Sequence, residues 1–362
     1  MKNLRKPFPV LQQNLYFNTA ASGLLPEKVF DFRQEHDLDF LVMASILKEK
    51  QGKMLTAVRE AVGDFFNCAP NRVALVPNYS FGFNTLLEGI DKSKMVLLLE
   101  GDYPSINWAV TSRDFPVQFA AIDENIEKNI EEAFQKQQPD LFAFSLVQYI
   151  SGIKLSVKFL KDLKQKYPDT LFVADGTQYC GTEIFDFDAS GLDVVIASGY
   201  KWLNAGYGNA FMLFNNEAAH KIAPKTSGFN SLQGKYKAHE GNFIGKFEPG
   251  HQDTLNFGSL RVALNFLKEV GMELVEERVK NFSALAKKEF EKLNLLEKMV
   301  AEREEHSSIF NIKGDDKMFQ YLRSKDVVCS QRGTGIRLSF HYFNTEEEME
   351  ILFKILRDYL KK

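Results

Sequence analysis

The chain has 362 residues, 44% of them hydrophobic and 26% charged, the balance of an ordinary folded protein, which excludes disordered, collagen-like and coiled-coil readings. Its length suits two or three domains rather than one small core. Lysine and arginine number 45 against 48 aspartates and glutamates, so no basic excess recruits nucleic acid or an anionic membrane.

The three cysteines, Cys68, Cys180 and Cys329, are odd in number and lack C-x-x-C spacing. They support neither a disulfide framework nor a zinc knuckle, and they fit a reducing cytoplasm. The basic start, MKNLRKPFPVLQQN, lacks the apolar run of a secretory signal. No apolar stretch approaches the ~20 residues of a membrane-spanning helix. The histidines show no metal-ligand spacing, so no metal is expected.

In chain order, Pro26 opens a helix through Val29 and Phe32, and a second amphipathic helix covers about Lys53 to Phe66. Short apolar runs follow at Val73–Val76, Val96–Leu99, Leu141–Val147, Leu171–Ala174, Val194–Ala197 and Ala210–Phe214. Helical stretches separate several of them, at Phe81–Gly89, Asn125–Gln137 and Val157–Tyr167. Buried strands alternating with helices imply a mostly parallel sheet covered on both faces. A long amphipathic helix then spans Glu273–Leu293. Strands at Ile309–Ile312, Val327–Ser330 and Ile336–Phe340, with helices at Lys317–Ser324 and Thr345–Leu360, form a small α+β unit. The expected division is an N-terminal segment, 1–25, packing back on the small domain, a large α/β domain, 26–257, and the small C-terminal domain, 258–362.

Ligands of open α/β sheets sit at the carboxyl ends of the strands. The run Leu171–Ala174 ends in Asp175-Gly176-Thr177-Gln178, and Val194–Ala197 ends in Ser198-Gly199-Tyr200-Lys201. A carboxylate and a lysine then project into one crevice. Either alone is equally a surface salt bridge. Together they suggest a lysine whose lowered pKa suits Schiff-base chemistry and an acid able to hold a pyridinium nitrogen protonated. Upstream, Val73–Val76 leads into Pro77-Asn78-Tyr79-Ser80 and a helix, whose N-terminus is an anion site.

With these motifs in order, the sequence resembles class V aminotransferases of the aspartate-aminotransferase-like fold, a family that includes cysteine desulfurases, kynureninase and isopenicillin N epimerase-like proteins. The resemblance runs from Tyr16-Phe17-Asn18-Thr19-Ala20-Ala21-Ser22-Gly23 to Ile336-Arg337-Leu338-Ser339-Phe340-His341-Tyr342-Phe343-Asn344-Thr345. It is most specific at Val173–Gln178 and Ser198–Gly208. It implies a three-layer α/β sandwich around a mostly parallel seven-stranded sheet, pyridoxal 5'-phosphate as cofactor, a small amino-acid substrate and a homodimer with shared active sites.

Residue by residue, the resemblance implies Lys201 as the Schiff-base lysine and proton shuttle and Asp175 as partner of the pyridine nitrogen. Gln178 falls to the phenolic oxygen, with Gln148 near it and the substrate. Ser198, Tyr200 and the Asn78-Tyr79-Ser80 turn fall to the phosphate, Tyr103 to the ring stacked on the pyridine, and Arg337 to the substrate α-carboxylate. His251, with Asn256 as a weaker candidate, falls where the family reaches a neighbouring subunit's phosphate. The chain departs from cysteine desulfurases at Tyr200 and Tyr103, where those enzymes carry histidines. Cys329 lies within an expected strand rather than a mobile loop, and reads as a buried thiol. The phosphate turn has Asn78-Tyr79 where many relatives have Gly-Thr.

The lead expectation is an aminotransferase acting on an α-amino acid. The alternatives are a carbon–sulfur or carbon–carbon lyase and an epimerase. A dehydrogenase would need G-x-G-x-x-G after the first strand, and Gly206-Tyr207-Gly208 precedes a strand instead. A non-catalytic regulatory protein is disfavoured by the joint presence of Asp175, Gln178, Lys201 and Arg337.

Overall fold

The computed structural model describes residues 3–231 and 243–361. In chain order its strands are β1 (Leu15–Tyr16), β2 (Val73–Val76), β3 (Val96–Leu99), β4 (Val117–Ala120), β5 (Leu141–Ser145), β6 (Leu171–Asp175), β7 (Val194–Ser198), β8 (Ala210–Phe214), β9 (Ile309–Lys313), β10 (Val327–Val328), β11 (Ser330–Arg332) and β12 (Gly335–Ser339).

β2 to β8 form one seven-stranded sheet in the order β2-β8-β7-β6-β5-β3-β4. Every pairing in it is parallel except the two made by β8. Alternate residues serve opposite faces. Leu97, Phe142, Phe144, Phe172 and Ala174 enter one core, and Val96, Leu98, Leu141, Ala143 and Val173 enter the other. With both faces covered by helices, a strand shows no polar side, which is why these segments read as unbroken apolar runs. Each fully buried phenylalanine, such as Phe142 or Phe172, contributes about 1.5–3 kcal/mol relative to an exposed one.

The expected helices are present within a residue or two of their limits, among them Tyr79–Leu87, Val157–Lys166 and Met272–Lys292. Several elements were not expected, among them β4 and the helix Thr254–Val270. β4 is a short edge strand whose side chains are half exposed, so its pattern is faint. The helix Thr254–Val270 packs between the helices Glu27–Met43 and Gln51–Phe66, burying residues from Phe257 to Leu267.

The second sheet is antiparallel, in the order β11-β12-β9. The last helix, Glu346–Leu360, starts on a capping box in which Thr345 and Glu348 each satisfy the other's backbone N–H. The single strand expected at Val327–Ser330 is two strands, broken at Cys329. β10 pairs in parallel with β1, whereas β11 pairs with β12. The N-terminal segment then continues past Ser339, which it meets at Asn18. Gly23 donates to the carbonyl of Tyr200 at 2.8 Å. A Cβ on Gly23 would lie 1.8 Å from the carbonyl oxygen of Lys201, so only glycine lets this segment lie against the lysine's backbone.

Candidate active site

Because β8 alone runs backwards, the carboxyl ends of β2, β3, β5, β6 and β7 share one edge. A pocket opens there, lined by Ser80, Tyr103, Asp175, Gln178, Ser198 and Lys201 among others. Asp175 and Ser198 are the last residues of their strands, and Lys201 follows three residues after β7.

Lys201 is 6% exposed. Its Nζ lies 5.8 Å from the ring centre of Tyr103 and 5.5 Å from that of Tyr200. Burial lowers the pKa of the amine. Asp175 pulls the other way, and Arg337 and Arg332 push it further down. Asp175 is buried as well, and burial raises its carboxyl above the usual range. The hydroxyl and backbone N–H of Thr177 and the charge of Lys201 partly oppose that rise. A cationic ring nitrogen placed against Asp175 would restore its charge, so the donor set fits a protonated pyridine.

Gln178 is held at both ends of its amide. Its Nε2 donates to Ala20 O at 3.0 Å, and its Oε1 accepts from Trp202 Nε1 at 2.8 Å. One N–H of that amide has no partner in these two bonds. The phosphate turn is built on Asn78, whose side chain caps the helix Tyr79–Leu87 by accepting from Phe81 N at 2.9 Å. Ser198 Oγ accepts from Tyr79 N at 3.0 Å, and Ser80 Oγ donates to Ser105 Oγ at 2.8 Å. Hydroxyls therefore gather at a helix N-terminus, as an anion requires. Tyr79 contributes its backbone here. Its ring turns inward onto Phe83, with a buried hydroxyl that has no partner among the described residues. Tyr200 stacks on Tyr207 with ring centres 4.6 Å apart.

Arg337, on β12, is buried. It donates from one terminal nitrogen to Tyr149 O at 2.6 Å, while its Nε is buried with no partner among the described residues. Burial, helped by Arg332, lowers its pKa to about 10. A buried guanidinium with a donor unspent is a ready seat for a carboxylate.

Three expected residues, Gln148, His251 and Arg337, do not line the pocket, although Arg337 is bonded to Tyr149, which does. Gln148 turns away from the pocket lining and donates to Asp102 Oδ1 at 2.8 Å, and its neighbour Tyr149 lines the pocket instead. His251 is exposed beside Phe229, with ring centres 5.7 Å apart, and does not line this chain's pocket. Asn256 donates to Asp253 and accepts from Arg33.

Sequence reasoning missed Asp102. This buried carboxylate accepts from Tyr103 N, Ser145 N, Ser145 Oγ and Gln148 Nε2 at 2.6 to 2.8 Å. It ties the end of β5 to the Tyr103 turn, and burial raises its pKa despite those four donors. Ser145, Tyr149 and Thr177 were also missed. Of these, Ser145 and Thr177 adjoin strand ends, the one signal that could have found them.

Residues 15–352 match the family described as Aminotransferase class-V. The chain is 25% identical over 359 residues to the uncharacterized aminotransferase YcbU of Bacillus subtilis, covering 95% of this chain and 94% of that protein. It is 22% identical to a probable cysteine desulfurase of Borreliella burgdorferi, over 100% of this chain and 97% of that one. A cysteine desulfurase from Thermococcus onnurineus shares the fold, with a TM-score of 0.87 at 16% identity over 99% of this chain and 98% of the other. With the family matched across nearly its whole length and the pocket furnished as described, the chain belongs to the class V aminotransferases, enzymes of the pyridoxal phosphate fold type I.

Proposed function

We propose that the protein is a class V aminotransferase that takes the amino group of a free α-amino acid. The observation that carries this reading is Lys201 and Asp175 buried in one pocket at adjacent strand ends, with an incompletely bonded Arg337 held behind the pocket's Tyr149. Bound pyridoxal phosphate supplies an electron sink for the carbanion formed at the substrate α-carbon. Asp175 would meet the ring nitrogen and keep a proton on it. Ser80, Ser198 and the N–H groups opening the helix Tyr79–Leu87 would bind the phosphate, and Tyr103 would lie against the ring. Arg337 would take the substrate α-carboxylate through its planar fork and turn the α-hydrogen toward Lys201. Lys201 would be the residue that holds the cofactor. Once freed, it removes the α-proton, and its lowered pKa keeps the neutral amine available.

A carbon–sulfur lyase is the second reading, favoured by relatives named as desulfurases. A desulfurase also needs a thiol to receive sulfur. Cys68, Cys180 and Cys329 are all buried, and none lines the pocket. Burial pushes the Cys329 thiol up to about 12. The lyase reading is therefore one without a protein persulfide.

A second copy of the chain completes our reading. Leu38, Phe40, Leu41, Val42 and Ile46 are exposed along and just after the helix Glu27–Met43, an apolar surface of the kind that oligomers cover. Exposed His251 is our candidate to reach a partner's phosphate. The three free cysteines suit a cytoplasmic enzyme.

One experiment tests this function. The purified holoprotein is sized and then screened spectrally against the common α-amino acids. A dimer in which an amino acid converts the cofactor to its amine form is expected. Release of pyruvate or sulfide without that conversion, unchanged in Cys329→Ala, would put the lyase in its place. An active monomer would remove the shared site.

A further inference from the structure

β12 carries Arg337, and its antiparallel partner β11 carries a second arginine, Arg332. The register sets Ser330 opposite Arg337 and Arg332 opposite Gly335. Residues directly opposite project to the same face, as do residues two apart on one strand. Arg332 and Arg337 therefore share a face as diagonal neighbours, which lie about 7–8 Å apart in such pairs, within reach of long side chains. Gly335 leaves no side chain opposite Arg332. The turn between the strands lies over the pocket's Tyr149-Ile150 segment, because a Cβ on Gly333 would sit 3.4 Å from Ile150.

The two guanidiniums are in different states. Arg337 is buried and bound to Tyr149 O. Arg332 is exposed, and its side chain donates from Nη1 to the adjacent carbonyl of Gln331 at 2.8 Å. It meets no carboxylate among the described residues, whereas Arg59, Arg72, Arg113 and Arg303 each do. Its charge nevertheless reaches the site, for it bears on Arg337, Lys201 and Tyr149. An uncompensated cation beside the α-carboxylate seat attracts a second anion.

We propose that Arg332 binds an anionic group at the far end of the substrate side chain, so that the preferred amino acids are acidic ones. This rests on the reading of Arg337 as the α-carboxylate partner and deepens it. Arg332 is a specificity residue that touches substrate at the mouth and takes no part in proton transfer. Its exposure lets it swing from the Gln331 carbonyl onto a side-chain carboxylate, exchanging a neutral acceptor for a charged one.

The test uses the holoenzyme and unreactive acids, so that binding is read apart from turnover. Succinate and butyrate are titrated by calorimetry into wild type, Arg332→Gln, Arg332→Lys and Arg337→Gln, each checked for cofactor content. Succinate should bind about tenfold or more tightly than butyrate, the size of one charge-assisted hydrogen bond. Arg332→Gln should abolish that preference while leaving butyrate within about twofold, and Arg332→Lys should keep part of it. Arg337→Gln should weaken both acids. Equal binding of the two acids by wild type, or equal loss of both in Arg332→Gln, would overturn the proposal. If Arg337→Gln changed neither acid, the seat for the α-carboxylate would lie elsewhere, and the proposal would fall with that reading instead.

Discussion

The pocket has two walls built on opposite terms. The wall made by the ends of β3, β5, β6 and β7 is already bonded to itself. Asp102 has four donors, Gln178 is held at both ends, and Thr177 holds both Asp175 and the N–H of Ser198. The second wall stands behind Tyr149 and is the β11–β12 hairpin, none of whose residues lines the pocket itself; it is left incomplete, with an unspent donor on buried Arg337 and, among the described residues, no acid for Arg332. A cofactor that stays can be met by a rigid, pre-paired surface. A substrate that comes and goes is better met by groups that reach their full complement only when it arrives.

Removing the lysine should damage the first wall's chemistry most. Lys201→Ala is expected to lower turnover by about 10³-fold or more, since it removes the proton carrier, while folding is retained. Rates of amino-acid conversion with externally added cofactor measure this, and a variant within tenfold of wild type would remove Lys201 from the chemistry. Next in size is Asp102→Ala, which strands four donors and should destabilise the fold by about 3 kcal/mol in urea titration. Asp102→Asn, which keeps the volume and an acceptor, should recover part of that. Equal stability of wild type and Asp102→Ala would mean that this bonded wall is not rigid.

The smallest effect links the two walls. Arg337 is one of the charges that hold the Lys201 pKa down. Arg337→Gln removes it, so the Lys201 pKa rises and its amine stays protonated to higher pH. The pH at which apoprotein takes up pyridoxal phosphate at half its maximal rate should then move upward, read from the growth of the bound cofactor's absorbance. A downward shift would show that the second wall does not act on the first.

Much of the first wall was legible because strands buried on both faces end abruptly where polar residues begin. Asp175, Ser198 and Lys201 all follow such an ending. Asp102 was not legible, since its importance comes from Ser145 and Gln148, more than 40 positions away. Gln148 and Tyr149 differ by a single position, and in an irregular turn no period says which faces inward. Tyr79 looked like a phosphate ligand from its place in the turn, yet its ring is large and apolar enough to be drawn into the core beside Phe83. The helix Thr254–Val270 escaped notice because it packs between two other helices and lacks a clean polar stripe.

One consequence follows from Gly23. The stretch 15–23 pairs with β10, meets β12 at Ser339, and ends against the carbonyl of Lys201. It therefore works as a tie-rod between the hairpin that carries Arg337 and the backbone of Lys201. Shortening the chain at its beginning, far from these side chains in sequence, is expected to loosen the pocket itself, so a deletion there should act as a change at the proposed site.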